Sequence, residues 1–303
     1  MNIPHIKIPI IPIELSKNIQ LFIKREDLIH AEISGNKFWK MFYNINSYLQ
    51  KKAKKPCVIT FGGAYSNHIA ATAAVGKQLG IATIGIIRGE ELSGKWHTNP
   101  TLVEAHNNGM TFLFVTREEY RNKEKLSEEV QKKFPEALIV PEGGTNQLAV
   151  EGISHMLNEQ TKDFNYICSA VGTGGTLAGL AKFAEANQKI LGFKAVDDQS
   201  LENKISELSG KRNFQLFEAH DGSYGKIIDE NIRFINTFYQ KYQIPLDPIY
   251  TGKMMKKLFN LIEQDFFPEH SRILAFHTGG LQGISGANEL LKKQNRALIA
   301  VGD

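Results

Sequence analysis

The sequence predicts an α/β fold of open parallel sheets with helices on both faces, and three observations predict it. Short apolar runs alternate with amphipathic stretches along the chain. The runs are apolar on both faces rather than alternating, as strands of a covered parallel sheet are. Three of them end in glycine-rich turns that open the next helix, and in open α/β sheets such turns gather ligands at the carboxyl ends of the strands.

The start, MNIPHIKIPIIPIEL, is apolar but broken by Pro4, Pro9 and Pro12. It lacks the basic lead and continuous apolar core of a signal peptide. Strands are expected at 57–61, 82–88, 111–115, 137–140, 166–171, 190–196, 214–217 and 272–277. Helices are expected near 66–79, 98–108, 121–133, 147–160, 176–187, 200–209, 226–242, 252–264 and 283–293, where apolar residues recur at helical spacing. Cys57 and Cys168 each open an apolar run within a strand, which reads as an inert core thiol. KKAKK (51–55) reads as a solvated helix end. The 303 residues suffice for one large α/β domain or two smaller ones, and no clean linker separates them. A net charge of +4 without a basic, aromatic-laced stripe argues against nucleic acid as a partner. No apolar run reaches membrane length and no metal-ligand spacing occurs. The expected location is the reducing cytoplasm.

The three glycine turns are TFGGAYSNH (60–68), AVGTGGTLAG (170–179) and FHTGGLQG (276–283). Glycines let the backbone approach a ligand, and free N–H groups at a helix start attract an anion. Gly172, Thr173, Gly174, Gly175 and Thr176 form the strongest candidate for a phosphate cup. A dinucleotide site fits less well. Gly172, Gly174 and Asp197 suit it, but Leu177 stands where a small residue lets the helix pack closely. Ser66 can cap a helix, with Asn67 and His68 in its first turn. ISGNKFWK (33–40) then sets Lys37 behind a Gly-Asn turn. Alone, Lys37 would be a surface lysine. Beside a phosphate cup it can be the amine that pyridoxal phosphate requires, since lysine forms a Schiff base with an aldehyde.

Seven motifs in order carry a resemblance across nearly the whole chain: KREDL (24–28), SGNKFWK (34–40), SNH (66–68), GTGGTLAGL (172–180), SYG (223–225), DPIYTGKMM (247–255) and HTGG (277–280). The chain resembles the D-cysteine desulfhydrase and 1-aminocyclopropane-1-carboxylate (ACC) deaminase family, pyridoxal-phosphate enzymes with the tryptophan synthase β-subunit fold. The resemblance implies two domains, residues 1–39 plus 151–303 and an inserted 40–150, with the cofactor in the cleft between them. It implies that Lys37 holds the cofactor and that Lys40 pairs with the phosphate of the 172–176 turn. Asn67 would lie beside the cofactor's 3-oxygen, and Ser66 and His68, with Asn67 and Thr278, would face the substrate. Tyr224 and Tyr250 would be active-site tyrosines. Where the family usually has Arg-Gln, this chain has Ala70-Ala71.

Within the family, Thr251 and Thr278 match the desulfhydrase pattern, where ACC deaminases carry Glu and Leu. A hydroxyl at 251 would leave the pyridine nitrogen unprotonated, whereas a carboxylate would hold its proton. The implied reaction is β-elimination from a small amino acid, most directly D-cysteine to pyruvate, hydrogen sulfide and ammonia. The α-proton base is Lys37, with Tyr250 and Ser66 as rivals. ACC deamination, elimination from another D-amino acid, or cofactor binding without turnover are the alternatives. The expected partners are a small amino acid and a second copy of the chain.

Overall fold

The fold, seen in a computed structural model, is described for residues 1–301 except His5 and Tyr224. The strands are β1 (Ile10–Ile13), β2 (Gln20–Lys24), β3 (Cys57–Gly62), β4 (Ala82–Arg88), β5 (Met110–Val115), β6 (Leu138–Val140), β7 (Tyr166–Val171), β8 (Lys189–Lys194), β9 (Phe214–Glu218) and β10 (Arg272–Phe276). The helices are α1 (Asn36–Gln50), α2 (Asn67–Leu79), α3 (Pro100–Asn107), α4 (Arg117–Arg121), α5 (Lys123–Lys133), α6 (Gln147–Ile153), α7 (Gly175–Phe183), α8 (Leu201–Ser209), α9 (Asp229–Tyr242), α10 (Thr251–Glu263) and α11 (Gly283–Lys293). None is long and apolar enough to cross a membrane.

The strands form two sheets. The larger runs β1-β2-β10-β7-β8-β9, and the smaller β5-β4-β3-β6. All pairings are parallel except β1 with β2. This is the α/β class expected from the sequence. β1 and β2 were not expected. β1 contains Pro12, and it is an antiparallel edge strand, where a missing N–H donor is tolerated. The expected helix 121–133 is two, because Asn122 ends α4 and its side chain caps α5. The expected helix 147–160 stops at Ile153 and continues as short 3-10 turns.

One core cluster packs α1, α6, α7 and α8 on one face of the larger sheet, and another packs α9, α10 and α11 on the other. The smaller sheet has α4 and α5 on one face and α2 and α3 on the other. Helices α1 and α6 pack against each other, with Gly152 under the Trp39 carbonyl.

Strand order positions the site. In the larger sheet, β7, β8 and β9 step one way and β10 returns on the far side of β7. In the smaller, β3, β4 and β5 step one way and β6 returns beside β3. Each reversal opens a crevice at the carboxyl ends of two strands, where ligands bind in such sheets. The first crevice carries the turns after β7 and β10. The second carries those after β3 and β6.

Candidate active site

The four turns line one cavity of about 400 Å³. Its wall includes Lys37, Lys40, Ser66, Asn67, His68, residues 172–176, Tyr250 and Thr278. The sequence-predicted residues therefore converge from both sheets, with Thr251 as the exception. Tyr224 lies outside the described residues.

Lys37 and Lys40 enter on the first turn of α1. Gly35 precedes it with φ +63°, and a Cβ there would stand 2.0 Å from the Thr278 carbonyl oxygen. Only glycine lets the chain turn so close to the 277–280 segment. The Asn36 amide donates to that carbonyl at 3.3 Å, which fixes the start of α1 against β10. The Asn36 side chain then ties two motifs together. Its Nδ2 donates to Thr176 Oγ1 at 2.7 Å, and its Oδ1 accepts from Lys37 Nζ at 3.1 Å. Burial lowers the Lys37 pKa to about 8, partly opposed by the charge of Asp247. A neutral, nucleophilic amine is thus accessible near neutral pH.

Lys40 is buried, and its Nζ donates to Gly143 O at 2.5 Å and Thr145 Oγ1 at 2.8 Å. Burial, then the nearby Lys37 charge, hold its pKa well below the usual lysine range. Among the described residues neither lysine has a carboxylate within ion-pair distance. The N-terminus of α7 adds the positive end of a helix dipole at the same place. A Cβ on Gly175 would lie 3.1 Å from Lys40 Nζ and 2.8 Å from Thr145 Oγ1. The cradle is therefore electropositive and lined by glycine. It fits the phosphate of a cofactor whose aldehyde Lys37 can hold.

Ser66 Oγ accepts from the His68 and Ile69 amides, so it caps α2 while lining the cavity. Asn67 Oδ1 accepts from Gln282 Nε2 at 2.5 Å. The Tyr250 ring lies 3.0 Å from where a Cβ on Gly172 would stand. Ala70 and Ala71, where the family usually carries Arg-Gln, are buried inside α2.

Two residues have partners that the resemblance does not imply. His68 was expected to face the substrate carboxylate. The Thr60 hydroxyl donates to the Val140 carbonyl at 2.9 Å, so it accepts from His68 Nε2 at 2.7 Å. Burial, then Lys37 and Lys40, push the His68 pKa well down. The ring is neutral, and Nδ1 is a buried acceptor with no hydrogen-bond partner among the described residues. It has no proton to give a carboxylate. Thr251 was expected at the cofactor ring. It is instead fully buried behind the wall, with its hydroxyl donating to Asp247 Oδ2 at 2.6 Å. Asp247 also accepts from the amides of Ile249, Tyr250 and Thr251, which fixes the start of α10.

The sequence reading missed Asp247, although it lies inside a quoted motif. It also missed the fourth glycine turn, PEGGTN (141–146), whose Gly143 and Thr145 hold Lys40. The signal was there: a short strand followed by paired glycines, as in the other three turns.

Comparison with known proteins gives the family and the fold. The family model described as pyridoxal-phosphate dependent enzyme matches residues 2–279. A Pyrococcus horikoshii protein, provisionally named a 1-aminocyclopropane-1-carboxylate deaminase, is 31% identical over 300 residues, covering 90% of each chain. The mitochondrial bifunctional D-cysteine desulfhydrase/1-aminocyclopropane-1-carboxylate deaminase of Arabidopsis thaliana is 28% identical, covering 89% of this chain and 74% of that one. The crystal structure of an ACC deaminase homologue superposes with a TM-score of 0.80 at 28% identity, covering 96% and 94% of the two chains.

Proposed function

The chain belongs to the family of pyridoxal-phosphate-dependent enzymes, and from that premise we propose that it eliminates the β-substituent of a small amino acid, most directly D-cysteine. The observation that carries the reading is the convergence of Lys37, the anion cradle and Thr278 on one cavity. Thr278 gives the wall a small hydroxyl where an ACC deaminase pattern has leucine.

The bound cofactor supplies an electron sink for the carbanion at the substrate Cα. Lys40 and the 172–176 amides would hold its phosphate, and Lys37 would hold its aldehyde end. The Lys37 amine, whose lowered pKa leaves it able to accept a proton near neutral pH, would take the Cα proton of the substrate. The Cα–H and Cβ–S bonds break, sulfide leaves with the electron pair, and water hydrolyses the remainder to pyruvate and ammonia. ACC deamination is the second reading, favoured by the names of the relatives above.

Lys40→Ala should weaken cofactor binding by about 1.5–3 kcal/mol, the range for a hydrogen bond to a charged group. Titration of the apoprotein reads this directly. Unchanged affinity would remove Lys40 from the phosphate site. The functional reading is tested with a panel of D- and L-amino acids plus ACC, scored for keto acid. Pyruvate and sulfide from D-cysteine, with little 2-oxobutanoate from ACC, is the expected result. Faster opening of ACC than elimination from D-cysteine reverses the two readings, and no keto acid from any compound rejects both.

A further inference from the structure

A second cavity of about 220 Å³ adjoins the first, and Ser66, Asn67, Arg88 and Tyr250 line both. Its far walls are apolar: Ile227, Pro248, Ile249, Ala287 and Leu290. Arg88 ends β4 at the border between the two spaces. Its Cζ lies 5.6 Å from the Tyr120 ring centroid, which steadies the guanidinium. Among the described residues it has no carboxylate within ion-pair distance. Glu142, the acid beside it in the cavity wall, is committed elsewhere. It accepts from Tyr120 Oη at 2.9 Å and pairs with Lys123 Nζ at 3.1 Å. Asp247, the acid of the second cavity, has both oxygens occupied by donors at the start of α10. A guanidinium with no ion-pair partner among the described residues thus faces an apolar annexe beside the main cavity.

The thiol of D-cysteine is too short to use this space. We propose that the annexe receives the β-substituent of a larger substrate, with an apolar stem against the Ile249 and Leu290 wall and an anionic end on Arg88. The substrate class is a β-substituted amino acid whose leaving group ends in a carboxylate, such as a cysteine S-conjugate. This rests on the β-elimination reading. The balance is R–S–CH₂–CH(NH₃⁺)–COO⁻ plus water giving R–SH, pyruvate and ammonium, with Cα–H and Cβ–S broken and the sulfur leaving with the pair.

The test compares S-(2-carboxyethyl)-D-cysteine with S-(2-carbamoylethyl)-D-cysteine, which differ only in terminal charge. Affinities are measured by calorimetry on cofactor-loaded Lys37→Ala protein, with Arg88 intact or replaced. With Arg88 the acid should bind about tenfold tighter or better than the amide, as a charge-assisted contact implies. Arg88→Met should bring the ratio to near one, and Arg88→Lys should keep part of it. Leu290→Glu, at an exposed position in the lining of the annexe, should lower the ratio without replacing Arg88. A ratio near one with Arg88 present overturns the proposal. So does an Arg88→Met variant that weakens acid and amide equally, because Arg88 would then serve the α-carboxylate. Keto-acid release from D-cysteine by the unmodified enzyme is scored separately, so a failure of the elimination reading is not confused with a failure of the annexe.

Discussion

Lys37→Ala protein, supplied with cofactor, should lose turnover by about three orders of magnitude or more, the scale at which a covalent anchor and a general base act together. It should also lose the near-visible absorbance of the lysine-bound cofactor. Two features keep this from being a folding effect. Lys37 is half-buried, and its side chain donates a hydrogen bond to Asn36. Its charge also works against Lys40, whose pKa it depresses. Removing Lys37 relieves that repulsion, so the apoprotein should melt no lower than wild type. Lys37→Arg should not rescue activity, since a guanidinium stays protonated and is not nucleophilic. Lys37→Ala protein with a normal spectrum and at least a tenth of wild-type turnover would take Lys37 out of the mechanism.

Gly35→Ala is the second large effect. An added Cβ meets the Thr278 carbonyl oxygen at 2.0 Å and its carbon at 2.3 Å, so backbone must move. The φ of +63° adds strain of about 1–3 kcal/mol for a residue with a side chain. The displaced pieces are the start of α1, which carries Lys37, and the turn that carries Thr278. A shift of about 1 Å at a reacting group costs on the order of 100-fold in rate. Gly80→Ala is the control. Gly80 has φ +64° at the far end of α2, and a Cβ there meets nothing within 4 Å. It should show the strain alone, as a lower melting temperature with unchanged kcat/KM. Equal losses of activity in both variants would mean that the contact with Thr278 does not position Lys37.

The strands flanked by glycine turns were legible because they are short, apolar on both faces and sharply bounded. β7 falls on its expected residues, and β3 and β4 fall on or within one residue of theirs. β2 was not, because QLFIK ends in a lysine and has no glycine beside it. That lysine, Lys24, is buried and paired with Glu26 at 2.9 Å, an arrangement only tertiary structure reveals. Much the same divides the site. Lys37 and the 172–176 turn stand out through local signatures, a lysine behind a Gly-Asn turn and a glycine-rich cup, and Lys40 through the resemblance; the structure brings all three to one cavity. The tautomer of His68 was not, since it is set by Thr60 and Val140 on neighbouring strands. Thr251 has the residue type that a ring contact needs, yet its hydroxyl is spent on Asp247 four residues earlier. Residue type showed what a side chain can donate, and the fold decided which partner takes it.

The central claim is that Lys37, brought by α1 to the crevice shared by two sheets, is the point of cofactor attachment. Borohydride reduction of the loaded enzyme, followed by peptide mapping, tests it most directly. The account predicts one modified peptide, with the cofactor mass on Lys37 and Lys40 unmodified. Cofactor fixed on Lys40, or on any lysine outside the cavity, would contradict it.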